Sequence, residues 1–220
     1  MGLRGGQGIR LRQRPARRPV RRLLGAAVAT AWLAACAAPI GDLSPSGFLG
    51  AEVVSPRPVP DVTLTDQDGQ PFALRERTAG RVALIFFGYT NCPDICPVHL
   101  ANLAAVLDKM DEEVRREVDV IFITTDPARD TLPHLRTWVK QFDRSFTGLT
   151  GPDSLLRATE IALGVLPAVR DSSRGADYEV GHAAQVIAVT RDGLARVQYP
   201  FGTRQRDWAH DLPRLVAYGD

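Results

Sequence analysis

An α/β layered fold is predicted by three features of this 220-residue sequence. Two continuous apolar runs, Val82 to Phe87 and Val118 to Thr124, have the length and bulk of strands buried on both faces. Segments with helical apolar spacing follow each of them. A cysteine pair, Cys92 and Cys96, stands directly after the first run at the start of such a helix. That last placement suggests the thioredoxin-like version of α/β, here with an added N-terminal β-hairpin and a β-hairpin insertion.

The elements follow in order. Val62 and Leu64 alternate with polar residues and run into Asp66-Gln67-Asp68-Gly69, a hairpin turn, with Phe72 on the return arm. After the 82–87 strand, Leu100, Leu103, Leu107 and Met110 recur on one helix face. The 118–124 strand ends at Asp126-Pro127. Thr131 then caps a helix with Pro133 in its first turn and Leu135, Trp138, Val139 and Phe142 facing inward. A short segment at 147–150 precedes a helix from Asp153 to Leu163. A loop with Ser172, Ser173, Arg174 and Gly175 leads to Gly181-His182. Strands Gln185–Thr190 and Leu194–Tyr199 flank the turn Arg191-Asp192-Gly193, and a helix over 206–218, its start restricted by Pro213, closes the chain.

Composition is ordinary for a globular protein, 45% hydrophobic and 24% charged. The net charge of +2 is no nucleic-acid footprint, because eight arginines and no acid fall in the first 22 residues. A basic stretch followed by the apolar run Leu23 to Ala35 is the export pattern, and the run is too short for a membrane span. Leu33-Ala34-Ala35-Cys36 is similar to a bacterial lipoprotein processing site. The expected organisation is a signal peptide over 1–35, a tether over 36–58 with lipid on Cys36, and a domain over 59–220. The tether is rich in Pro, Ser and Gly, extended and outside the core. The domain then works in an oxidising space outside the cytoplasm, on the periplasmic or outer face of the membrane.

Two cysteines remain in the domain. Four positions apart, they close too small a loop to staple a fold, so their value is chemical. Cys96 is expected at a helix N-terminus, where backbone N–H groups and the dipole favour its thiolate. The Cys-x-x-x-Cys spacing gives the sulfurs more room around a metal than Cys-x-x-Cys does. Two thiolates suit a soft ion, Cu(I) above all; adding an imidazole also admits Cu(II), and zinc fits the set less well. Of four histidines, His134 and His210 fall on polar helix positions. His182 lies in a loop before a strand, at the sheet end expected to carry the cysteines. His99, three residues after Cys96, competes as a ligand, or else stands partly exposed behind the site.

Phe87-Gly88-Tyr89-Thr90-Asn91-Cys92-Pro93-Asp94-Ile95-Cys96-Pro97, Thr125-Asp126-Pro127-Ala128-Arg129-Asp130-Thr131 and Phe146-Thr147-Gly148-Leu149-Thr150-Gly151 together resemble the Sco/SenC family, from about Val59 to near the C-terminus. The resemblance implies a copper metallochaperone of cytochrome c oxidase assembly. Its ligands fall on Cys92, Cys96 and His182, its redox disulfide on Cys92 and Cys96, and its recipient is the dinuclear copper centre of oxidase subunit II. A periplasmic thiol reductant would open the disulfide. Gly181 and Ala183 depart from the acid and serine usual around the histidine, which alters what orients the imidazole. The Asp126-Pro127 turn reads as a strand-to-helix connection with a capping role. A thiol–disulfide oxidoreductase remains the alternative, with a peroxiredoxin-like peroxidase behind it.

Overall fold

In the computed structural model, residues 46–171, 173, 175 and 178–218 are described. The signal segment 1–35, Cys36 and the early tether lie outside them, as do Ser172 and Arg174. Among the described residues ten strands and six helices follow one another: β1 (Ala51–Pro58), β2 (Thr63–Asp66), β3 (Pro71–Ala73), α1 (Leu74–Thr78), β4 (Val82–Gly88), α2 (Ile95–Leu107), α3 (Glu112–Glu117) and β5 (Val118–Thr124). Then come α4 (Leu132–Lys140), β6 (Thr147–Thr150), α5 (Asp153–Ala162), β7 (Val169–Arg170), β8 (Val180–Gly181), β9 (Val186–Val189), β10 (Leu194–Tyr199) and α6 (Gln205–Ala217). Among the described residues no helix is long and apolar enough to cross a membrane.

Eight strands form one sheet in the order β1-β10-β9-β4-β5-β6-β2-β3, and β7 pairs with β8 in a separate two-stranded ribbon. The apolar run of β4 explains the centre. Val82, Leu84 and Phe86 join one core with α2, α4 and α6, whereas Ala83, Ile85 and Phe87 join a second core with α1 and α5. A strand whose side chains alternate between two buried faces must be apolar throughout, as β4 is. The fold is α/β and thioredoxin-like, with the β2–β3 hairpin added at one sheet edge.

Register positions the functional end. β4 and β5 run parallel from Val82↔Val118 to Gly88↔Thr124, so the loops that leave them emerge side by side. β9 runs antiparallel to β4 and begins at Val186, opposite Phe86. The loop entering β9 therefore lies at the same end as the loop leaving β4. That topology brings a segment near residue 92 beside one near residue 182.

Several expectations change. Residues 51–58, read as tether, form an edge strand against β10, and Phe48 before them is buried in the core. Leu49 and Gly50 donate backbone N–H groups to the buried Asp211 carboxylate, with Tyr199 as a third donor. α2 ends at Leu107, so Met110 packs on the core from the turn beyond. Phe142 likewise packs from beyond the end of α4. Thr131 occupies the N-cap position of α4 without a side-chain cap bond. Pro213 lies inside α6 rather than at its start. Gly193 meets its requirement: its φ of 76° closes the β9–β10 hairpin in a conformation that L side chains rarely adopt.

Candidate metal centre

Gly88 ends β4 and makes room for the site. A Cβ at this position would stand 2.7 Å from Cys96 Sγ and 2.9 Å from the Phe122 ring. Only a glycine lets the sulfur press against the strand end. The chain then turns through Tyr89 and Thr90, closed by Cys92 N–H donating to the Tyr89 carbonyl at 3.2 Å, and enters α2 at Ile95.

The helix begins one residue before Cys96, which decides the roles of the sulfurs. Cys96 N–H donates to Cys92 Sγ at 3.4 Å, so Cys92 occupies the dipole end. A hydrogen bond from the Cys96 thiol, with further ones from the backbone N–H groups of Cys96 and Asp94, lowers the Cys92 pKa to about 3 against the opposing effect of burial. Cys96 moves the other way. It holds the proton it shares with Cys92, it is buried, and it faces the neighbouring thiolate. The expectation that Cys96 is the stabilised thiolate is thus reversed: Cys92, half-buried, is the reactive sulfur and Cys96 the shielded one. Both are free thiols.

His182 follows β8. Its Nδ1 lies 2.9 Å from the Ala183 carbonyl, which can only accept, so Nδ1 carries the proton and the Nε2 lone pair is free. Nε2 stands 3.5 Å from Cys96 Sγ. One donor atom from each of Cys92, Cys96 and His182 lies within 4.8 Å of the others. Ligands around one ion at ordinary metal–sulfur and metal–nitrogen lengths stand about 3.6–4.0 Å apart, a spacing that small side-chain movements would bring these three donors to. Tyr89 stands edge-on to the imidazole at 5.7 Å between ring centres. Outside the trio an open cleft of about 380 Å³ is lined by Tyr89, Pro93, Ile95 and Val180 among others.

The other histidines do not join the trio. His134 and His210 stand elsewhere, His210 with its Nδ1 2.7 Å from Asp211. His99 is buried rather than partly exposed, and its Nε2 donates to the Ala184 carbonyl at 2.8 Å. Burial lowers its pKa, so the ring is neutral.

The loop after β5 supports the cysteine turn instead of capping α4. Asp130, buried, accepts from Thr90 N–H, Thr90 Oγ1 and Thr124 Oγ1. Asp126, fully buried, pairs with Arg129 and accepts from Tyr178 Oη at 2.6 Å. Arg129 also donates to the Tyr178 carbonyl and stacks over the Tyr178 ring at 3.7 Å. The loop that follows one strand thus ties down both the Cys92 turn and the approach to β8. Glu160 is a further support. It is buried on α5, with both carboxylate oxygens 3.2 Å from Ala168 N–H, just before β7. β7 in turn pairs Val169 with Gly181, next to His182. Sequence reasoning missed Glu160, because an acid in an amphipathic helix reads as solvated. For Asp130 there was a signal: a run of threonines and aspartates leaving a wholly buried strand.

A family model described as SCO1/SenC matches residues 55–217. A Stutzerimonas stutzeri protein named "Putative copper-binding protein" is 39% identical over 140 residues, covering 64% of this chain and 68% of its own. Across other curated relatives the matched segment spans 37% to 64% of their lengths. The solution structure of the apo Sco1 protein from Thermus thermophilus is 32% identical, with a TM-score of 0.68 over 76% of this chain and 96% of that one. The copper-bound structure of ScoI from Bradyrhizobium japonicum is 31% identical, with a TM-score of 0.62 over 73% of this chain and 98% of that one.

Proposed function

This chain belongs to the SCO1/SenC family, and from that premise we propose that it is a copper metallochaperone holding one ion between Cys92, Cys96 and His182. The observation that carries the reading is the convergence of three donors from two distant segments within 4.8 Å. Two sulfurs and a neutral imidazole nitrogen suit Cu(I) and also accept Cu(II). The copper-bound relative from Bradyrhizobium supports the choice of ion. Copper is the cargo here.

The cycle starts from a Cys92–Cys96 disulfide, which offers no thiolate for metal. A periplasmic dithiol supplies two electrons and two protons, opens the S–S bond and becomes a disulfide itself. Copper then enters from the cleft. It meets Cys92 as a thiolate already, displaces the proton from Cys96 and takes the Nε2 lone pair of His182. Ligand exchange passes the ion to thiols of a partner, which the family resemblance gives as the dinuclear centre of cytochrome c oxidase subunit II. The N-terminal sequence supports export and lipid on Cys36, which would hold the domain over 59–220, together with its edge strand β1, at the membrane face where that partner lies.

Titration of the reduced domain with Cu(I) tests this. One ion per chain is expected, with affinity lost in Cys92→Ser, Cys96→Ser and His182→Ala. Binding unchanged in His182→Ala would remove the three-donor site. In Cu(II)-loaded protein a sulfur-to-copper charge-transfer band should report thiolate ligation.

One observation favours a second reading. A half-buried low-pKa sulfur beside a buried high-pKa one is the division of labour between attacking and resolving thiols in a thiol–disulfide oxidoreductase. In that case Cys92 attacks a substrate disulfide and Cys96 releases the mixed disulfide. Reductase activity needs no imidazole ligand, so His182→Ala would keep it.

A further inference from the structure

We propose that His99 is a positioning residue for the metal centre, fixing the His182 loop to the helix that carries Cys96. The inference rests on the copper reading above. His182, Ala183, Ala184 and Gln185 lie between the end of β8 at Gly181 and the start of β9 at Val186, outside both strands. Gly181, Ala183 and Ala184 carry no polar side chain that could hold this stretch. Two imidazoles take its carbonyls: His182 its own neighbour Ala183, and His99 the Ala184 oxygen.

The geometry of His99 makes this bond directional. The ring is buried and stands between Phe86, at 4.9 Å between ring centres, and Phe201, at 5.4 Å. Held between those rings, its Nε2 donates to the Ala184 carbonyl at 2.8 Å. His99 sits on α2 less than one turn beyond Cys96. A single helical turn therefore presents one sulfur and grips the backbone two residues beyond the imidazole. The separation of Cys96 Sγ and His182 Nε2 is set through this link rather than by the ribbon alone. Removing the donor leaves the Ala184 carbonyl without it and frees the loop to drift from the sulfurs.

The test uses the reduced chain and two variants. His99→Leu keeps apolar bulk and removes the donor; His99→Gln returns a donor of similar reach. In metal-free protein, histidine-ring nitrogen NMR reads the His182 tautomer. Cu(I) affinity is read by competition with a chromophoric chelator, and the thermal midpoint is recorded alongside. His99→Leu should weaken copper binding by about tenfold and convert the single Nδ1–H tautomer of His182 into a mixture, while His99→Gln recovers most of both. Unchanged tautomer and affinity in a folded His99→Leu protein would overturn the proposal. So would equal losses in both variants that simply follow the thermal midpoint. Were the parent itself to bind no copper, the chaperone reading would fall, and the tautomer measurement alone would still decide the positioning role.

Discussion

The backbone N–H of Cys96 points at the sulfur of Cys92, 3.4 Å away. This contact places Cys92, not Cys96, at the positive end of α2, and it divides the pair into a half-buried anion and a buried proton holder.

Thiol chemistry should show that division. With its pKa held at about 3, Cys92 of the reduced metal-free protein should react with iodoacetamide at a rate that barely changes between about pH 5 and 8. Cys96 should stay unmodified until the protein unfolds. Peptide mass spectrometry across pH checks this; first labelling at Cys96, or a Cys92 rate that climbs steeply near an ordinary thiol pKa, contradicts it.

The fit at Gly88 should be equally sensitive. A methyl group there meets Cys96 Sγ and the Phe122 ring, neither of which can retreat from the core. Gly88→Ala is expected to cost about 1–3 kcal/mol of stability and to weaken copper binding. Urea denaturation and metal competition measure the two effects. A variant as stable as the parent would show that the strand end yields.

Asp130 joins three donors that serve the cysteine turn. Asp130→Ala leaves them without this partner and should lower stability by about 2–4 kcal/mol. Hydrogen exchange at Thr90 and Cys92 should rise further than in the distant β10 strand. Uniform exchange across the sheet would indicate a global effect only.

Burial raises the Glu160 pKa above its ordinary value. The folded state then holds the proton more tightly than the unfolded chain. Stability from this group is complete at low pH and declines as pH rises through the raised value. Glu160→Gln keeps an acceptor for Ala168 N–H without the charge. It should therefore raise the urea midpoint at about pH 7 and give no advantage at about pH 4. A lower midpoint for Glu160→Gln at pH 7 that disappears at pH 4 would show that the charge itself holds the β7 end.

Strands β4 and β5 were legible because burial on both faces leaves nothing but apolar residues, and their bounds fell within a residue of those expected. β10 was legible from alternation and a turn glycine. β1 was not, because an edge strand with prolines and mostly exposed side chains has the composition of a linker. The nearness of Cys92, Cys96 and His182 was readable, since strand order places both loops at one end of the sheet. The roles within the trio were not. Which sulfur meets the helix end depends on where α2 starts, and a shift of one residue exchanges them. His99 was misplaced for a related reason: α2 is apolar on most of its surface, so spacing alone did not show that its histidine faces inward.

Asp211 grips the backbone at Leu49 and Gly50, and Phe48 lies buried beside Tyr218. The chain is thus moored to α6 before it enters β1. A pull on the N-terminal end of the described residues would therefore load the C-terminal helix before it reached the edge strand.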